Sequence, residues 1–192
     1  ETLTPNGAVG MQQPRFPERR KMHLERHYDR TYARLTRPFA GHPGRIQALQ
    51  LANNALVVLM YIAYPLLLGE LIHKGGLAGN LLLQKAFWVP ALSFLSVTVV
   101  RSRIDRPRPY EAWPLKPLIS RDKQGESLPS RHVFSSTIIA MVYLYIHPAL
   151  GGLFLLVSLV SAAVRVLGGV HYPSDVAAGF LAGVGSGLLL WL

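Results

Sequence analysis

Residues 48–69 read ALQLANNALVVLMYIAYPLLLG, 22 residues without one charge. At 1.5 Å per residue such a helix extends about 33 Å, enough for a bilayer hydrocarbon core of about 30 Å. A helix buried in a soluble core would carry a shorter apolar run, of about 10–14 residues. This one stretch decides the reading of the chain, because its pattern recurs. Residues 77–100 form a second apolar segment, continuous from Ala86 to Val100. Residues 133–149, 150–167 and 176–192 form three more. The expected fold is all-α, a polytopic transmembrane helical bundle of about five spans.

Composition agrees. Half of the 192 residues are hydrophobic and 16% are charged, whereas soluble domains run nearer 25% charged. The formal net charge is nonetheless +10, and the charge is unevenly placed. Nine of the twenty Lys and Arg residues lie in 1–47 and eight in 101–131. Only Lys74, Lys85 and Arg165 lie elsewhere. A nucleic-acid-binding face would interleave basic residues with stacking aromatics, and none is present. Apolar spans separated by basic loops fit a multi-pass protein of the cell membrane. The bilayer is therefore an expected partner, and nucleic acid is not. With no cysteine, disulfides and thiolate ligands are excluded.

The remaining segments follow from these spans. Residues 1–21 are polar and Pro-rich, without the apolar core of a signal peptide. They are expected to form a flexible tail, with Met22 a candidate native start. Residues 22–47 open with Leu24, Tyr28, Tyr32 and Leu35 at helical spacing, and with Arg26, Arg30, Arg34 and Arg37 on other faces. That pattern predicts a basic amphipathic helix suited to a membrane interface. Residues 48–192 form the membrane-embedded domain. Lys85, near the start of the second span, is expected to snorkel to the interface. Gly179, Gly183 and Gly187 recur at i, i+4 and i+8 in the last span. Such a stripe lets a neighbouring helix approach closely.

Three polar clusters interrupt the apolar chain: Arg101 to Pro109, Leu128 to His132, and Arg165 to Asp175. The segment 101–131 is polar, so it does not cross. Spans three and four then form a hairpin that returns the chain to the same side. All three clusters meet at one membrane face. Arg101, Arg108 and Arg165, with Arg103, Arg106 and Arg131 nearby, make a strongly positive pocket. Guanidinium forks match phosphate oxygens. Ser130 adds a hydroxyl, and the start of the third span adds backbone N–H groups. Asp175 lies four residues after His171, so one helical turn brings carboxylate and imidazole together. A carboxylate there fixes the tautomer and raises basicity. Such a histidine is a candidate nucleophile toward phosphorus, and His132 a candidate proton donor. Two His and one Asp among many arginines repel a dication, so no metal and no cofactor is expected. Taken singly, the arginines also fit membrane-boundary anchors, and Asp175 fits an N-cap.

The pattern resembles the type-2 phosphatidic acid phosphatase family, the lipid phosphate phosphatases. Its three signatures are Lys-x6-Arg-Pro, Pro-Ser-Gly-His and Ser-Arg-x5-His-x3-Asp. They are matched by Arg101-x6-Arg108-Pro109, Pro129-Ser130-Arg131-His132 and Val164-Arg165-x5-His171-x3-Asp175. The resemblance covers about residues 80–190. It implies a metal-independent phosphatase acting on a lipid phosphate or diphosphate, such as a polyprenyl pyrophosphate, phosphatidate or phosphatidylglycerophosphate. It further implies that His171 attacks phosphorus to form a phosphohistidine, that Asp175 orients it, and that His132 protonates the leaving group and then activates water. Arg101, Arg108, Arg165, Ser130 and the backbone N–H of Arg131 would hold the phosphate.

Three positions depart from the pattern: Arg101 replaces Lys, Arg131 replaces Gly, and Val164 replaces Ser. Vanadium haloperoxidases share a similar site, but they are soluble and larger. A non-catalytic lipid-phosphate binder or transporter, with turnover spoiled by Arg131, is the third reading. Five spans put the N-terminus on the side of the clusters. Its basic residues then favour the cytoplasm, while the family more often works on the outer face. The sequence leaves that side open, and the oligomeric state with it.

Overall fold

In the computed structural model, residues 28–119 and 123–192 are described. The tail 1–21 and the Leu24 and Arg26 end of the amphipathic helix lie outside the described residues. Seven α-helices follow in order among the described residues: α1 (Tyr28–Thr36), α2 (Pro43–Gly75), α3 (Leu81–Ile104), α4 (Pro109–Ala112), α5 (Arg131–Ile146), α6 (Pro148–Leu167) and α7 (Pro173–Gly187). A 3-10 turn, Leu188–Trp191, continues α7. Helices α2, α3, α6 and α7 with its 3-10 extension are long and apolar enough to cross a membrane. Helix α5, with 16 residues, is shorter, and it is the hub of the bundle. Val133, Phe134, Ala140 and Val142 are all buried. The chain is a multi-pass, all-helical membrane protein.

Span one is longer than its apolar run. Helix α2 has 33 residues, about 50 Å at 1.5 Å per residue. Its polar ends, Arg45 at one and Glu70, His73 and Lys74 at the other, continue the helix beyond the oil-soluble middle. Asn80 begins α3 by accepting a hydrogen bond from Leu83 N at 3.0 Å. That is an ordinary N-cap, satisfying one of the amides a helix start leaves unpaired. Leu51, Ile62 and Leu66 on α2, Trp88, Leu92 and Leu95 on α3, and Leu153, Leu156 and Leu159 on α6 face outward and are exposed. In water such a belt would drive association; in lipid it is the normal surface.

The glycine stripe of α7 faces α5. A Cβ built on Gly179 would stand 2.6 Å from Ser130 O, on Gly183 2.6 Å from Thr137 Cβ, and on Gly187 2.4 Å from Met141 Cβ. Gly185, off the stripe, meets nothing within 4 Å. Helices α5 and α6 form a hairpin in which Ser158 Oγ lies 2.8 Å from Ser136 Oγ and 2.7 Å from Thr137 Oγ1. These hydroxyls satisfy one another in an apolar layer.

Lys85 and the tyrosine face of α1 both make contacts within the protein. Lys85 donates to Leu190 O at 3.2 Å and stands 5.9 Å from the Tyr145 ring. It ties α3 to the C-terminal turn. The tyrosine face of α1 packs on protein: Tyr28 and Tyr32 are buried, and Tyr28 meets Tyr172 edge-on at 4.9 Å. Leu35 alone of that face is exposed among the described residues. Helix α1 thus sits beside the loop that joins α6 to α7. Tyr32 Oη donates to Leu167 O at 3.3 Å, and Gln50 Nε2 donates to Leu118 O at 2.9 Å. The beginning of α2 and the polar clusters therefore share one end of the bundle.

Candidate functional site

Asp105 ends α3 in the left-handed conformation, φ 42°, and the chain folds back on itself from there. Ser127 N donates to Arg106 O at 2.9 Å, and Glu126 N to Asp105 Oδ1 at 3.2 Å. Glu111 is the knot: its carboxylate accepts from Arg108 N at 2.7 Å and from Gly125 N at 2.9 and 3.0 Å. This closed loop places the first cluster against the second. The third is joined by Ser130 N donating to Asp175 O at 2.9 Å and Ile119 N to Gly168 O at 3.1 Å. Between α6 and α7 the backbone turns at Gly169, φ 73°, a conformation that glycine adopts without strain. That turn delivers His171 and Asp175 to the loop.

Six of the eight candidate residues are buried together at this end: Arg101, Arg108, Ser130, Arg165, His171 and Asp175. Arg101 and Arg108 are anchored by carbonyls. Arg101 Nη1 donates to Pro129 O at 3.0 Å, and Nη2 to Glu126 O. Arg108 Nε donates to Gly125 O at 3.0 Å and Nη1 to Val170 O at 3.4 Å. Carbonyls fix the plane of each fork but cancel no charge. Only Glu126 Oε2, 3.9 Å from Arg101 and half exposed, offers a carboxylate to these two among the described residues. The site keeps a net positive field for an anion. Ser130 caps the start of α5, and its buried Oγ has no hydrogen-bond partner among the described residues. A buried hydroxyl left so costs stability unless a ligand completes it.

Around His171 the contacts are tight. Its Nδ1 lies 3.5 Å from Asp175 Oδ2 and 3.4 Å from Ser127 Oγ. Asp175 Oδ2 accepts from Ser127 Oγ at 2.5 Å and from Tyr172 N at 3.0 Å. Its Oδ1 accepts from Arg106 Nη1 at 2.8 Å. Arg106 also donates to Ser174 Oγ at 2.8 Å and lies 4.2 Å from the Tyr172 ring. Burial pulls the His171 pKa down to about 4; Asp175 opposes this, and Arg108 and Arg165 reinforce it. The imidazole is neutral at pH 7. With Nδ1 turned to the carboxylate, Nε2 is the nitrogen available for attack.

Arg131 and His132, the other two candidates, stand half-buried on the first turn of α5. They line a cavity of about 400 Å³ shared with Leu56, Met60, Tyr64 and Phe94. Ser135, Ser136 and Ile139 continue the cavity wall along α5, a depth of roughly 12 Å from Arg131 at 1.5 Å per residue. Its lining is mostly apolar. No cluster of three His, Asp or Glu side chains that could hold a metal is found among the described residues.

Motif reading missed Ser127 and Glu111 altogether, and it placed Arg106 only nearby. Spacing carries a faint signal for Glu111, three residues after Arg108 at a helix start, where a carboxylate reaches back to the N-cap amide. Ser127 carries none.

The model of the PAP2 superfamily matches residues 82–192. LpxE of Aquifex aeolicus is 22% identical and aligns with a TM-score of 0.62 over 84% of this chain and 93% of its own. The first transmembrane PAP2 type phosphatidylglycerolphosphate phosphatase from Bacillus subtilis is 18% identical, with a TM-score of 0.51 over 85% of this chain and 92% of its own. At these identities the two structures share the fold. No curated protein matches the chain.

Proposed function

The chain belongs to the PAP2 superfamily, and from that premise we propose that it is an integral-membrane phosphatase removing the terminal phosphate of a lipid phosphate or diphosphate through a phosphohistidine. The observation that carries the lipid part is the cavity beside His132. A mostly apolar slot with Arg131 and His132 in its wall, next in the chain to the buried Ser130, suits a molecule with a phosphate head and a hydrocarbon tail. LpxE and the Bacillus subtilis phosphatidylglycerolphosphate phosphatase share this fold, which is consistent with that reading.

The reaction follows from the positions. Phosphate oxygens sit against Arg101, Arg108 and Arg165, the Ser130 hydroxyl and the first amides of α5. Carbonyls fix Arg101 and Arg108 before substrate arrives, so these donors stabilise charge developing on the equatorial oxygens. His171 Nε2 forms a bond to phosphorus, and the phosphorus–oxygen bond to the lipid breaks. The electron pair stays on the leaving oxygen, which takes a proton from His132. Asp175 holds Nδ1–H and stabilises the positive charge that the ring acquires. His132 then takes a proton from water, whose oxygen attacks phosphorus and releases Nε2.

The test is phosphate release from purified lipid monophosphates and diphosphates in EDTA, with His171→Ala alongside. The reading requires EDTA-resistant release that His171→Ala abolishes. Loss of activity in EDTA contradicts the metal-free mechanism. An inactive wild-type protein leaves the binder as the better reading.

A further inference from the structure

We infer that Arg131 forms a second anion subsite in the wall of the cavity, and that the preferred substrate is a diphosphate ester of a long apolar alcohol. This rests on the phosphatase reading and deepens it. The proposal comes from where Arg131 stands. It follows Ser130, the buried cap of α5, and it lines the cavity with His132. Of the eight candidate residues, only these two line the slot, and they follow directly on Ser130 of the phosphate pocket. An anion bound at Arg131 would therefore lie between the scissile phosphorus and the tail. In a lipid diphosphate that place belongs to the inner phosphate.

The guanidinium is prepared for such a group. Its Cζ lies 5.6 Å from the Phe94 ring on α3, which orients the plane without neutralising it. No carboxylate pairs with Arg131 among the described residues, although Arg101, Arg106, Lys74 and His147 all have one within 4.0 Å. Arg131 is also close enough to Arg101 for the two charges to repel. A half-buried cation facing an apolar cavity, with a like charge beside it, gains strongly from an anionic partner. A planar fork suits phosphate oxygens better than a point charge does.

The consequence for the reaction is specific. When the phosphorus–oxygen bond breaks, the electron pair passes to the bridging oxygen of the departing lipid monophosphate. His132 supplies that oxygen's proton, and Arg131 stabilises the charge on the phosphate that leaves. A monophosphate substrate has no group to use this contact.

The experiment compares kcat/KM for farnesyl diphosphate and farnesyl monophosphate, using the full chain in detergent micelles. Wild type is expected to favour the diphosphate by more than about ten-fold. Arg131→Gln should lower the diphosphate-to-monophosphate ratio by about ten-fold or more, which is about 1.4 kcal/mol of discrimination. Arg131→Lys should fall between, because it keeps the charge and loses the fork. It also serves as the test where Arg131→Gln does not fold. Hydrolysis of both substrates with a ratio that neither variant moves overturns the subsite and leaves the phosphatase reading standing. A wild-type preference for the monophosphate does the same. Release from neither substrate overturns the phosphatase reading itself.

Discussion

Ser127 Oγ lies 2.5 Å from Asp175 Oδ2, whereas His171 Nδ1 lies 3.5 Å from the same oxygen. The carboxylate is thus held first by a serine 48 residues away and only second by the histidine it serves. Tyr172 N and Arg106 complete the grip on its two oxygens. A carboxylate fixed from three other directions cannot follow the imidazole, so the imidazole must come to it. The pair is set for the moment when the ring becomes positive.

Ser127→Ala removes one donor from that carboxylate. A hydrogen bond to a charged group contributes about 1.5–3 kcal/mol, and part of it is retained by relaxation. We expect kcat to fall about ten-fold with KM little changed, because Ser127 touches the orienting group and not the phosphate. Steady-state kinetics on any accepted substrate measure this. An equal loss in the folded fraction and in kcat, with normal turnover per folded molecule, would reduce Ser127 to packing.

The glycine stripe makes a paired prediction. Gly183→Ala puts a methyl 2.6 Å from Thr137 Cβ, and Gly185→Ala puts one where nothing lies within 4 Å. Overpacking typically costs about 1–3 kcal/mol. Thermal unfolding in detergent should show a clear loss for Gly183→Ala and none for Gly185→Ala. Equal effects would mean that α7 does not meet α5 through this stripe.

These contacts mark what the sequence could and could not reveal. Spans were legible because burial in lipid demands long uncharged runs, and residues 48–69 satisfy that demand without any partner. The stripe was legible because its period matches a helix. Residues His171 and Asp175 were legible because one turn joins them. Ser127 and Arg106 were not, since a serine or an arginine in a polar loop has no periodic signature, and Glu111 showed only its spacing from Arg108. Their roles arise only when segments far apart in the chain touch. The tyrosines of α1 show the converse. Their spacing reads as an amphipathic face in either case, and only the position of Tyr172 shows that protein covers it.

Acid pH should act on stability through His171. Its folded pKa, about 4, lies below the value of about 6.5 expected in the unfolded chain. Between these values the unfolded chain holds a proton that the folded one lacks. The neutral buried ring therefore supports the fold fully above pH 6.5, and that support is lost as pH falls toward 4. The shift corresponds to about 3 kcal/mol at most. Wild type should lose stability over this window more steeply than His171→Asn, as read by chemical unfolding at several pH values. Parallel slopes would show that His171 titrates normally.

The last prediction concerns the membrane. Gln50 near the start of α2 bonds Leu118, and Tyr32 bonds Leu167, so the N-terminal helix and the site loop occupy one end of the bundle. At the other end His147 Nε2 lies 3.1 Å from Glu70, which also accepts from Lys74 at 2.6 Å. The chain has no cysteine, so single cysteines report position without background. Arg34→Cys and Lys116→Cys should react with an impermeant maleimide from one side of sealed cells or vesicles, and Lys74→Cys from the other. Which pair reacts in intact cells then assigns the side of the site. Basic loops at the Arg34 end favour the cytoplasm, but Arg101, Arg108 and Arg165 are placed for an anion and carry no weight in that count. Labelling of Arg34→Cys and Lys116→Cys from opposite sides would contradict the arrangement of α1 and α2 beside the site.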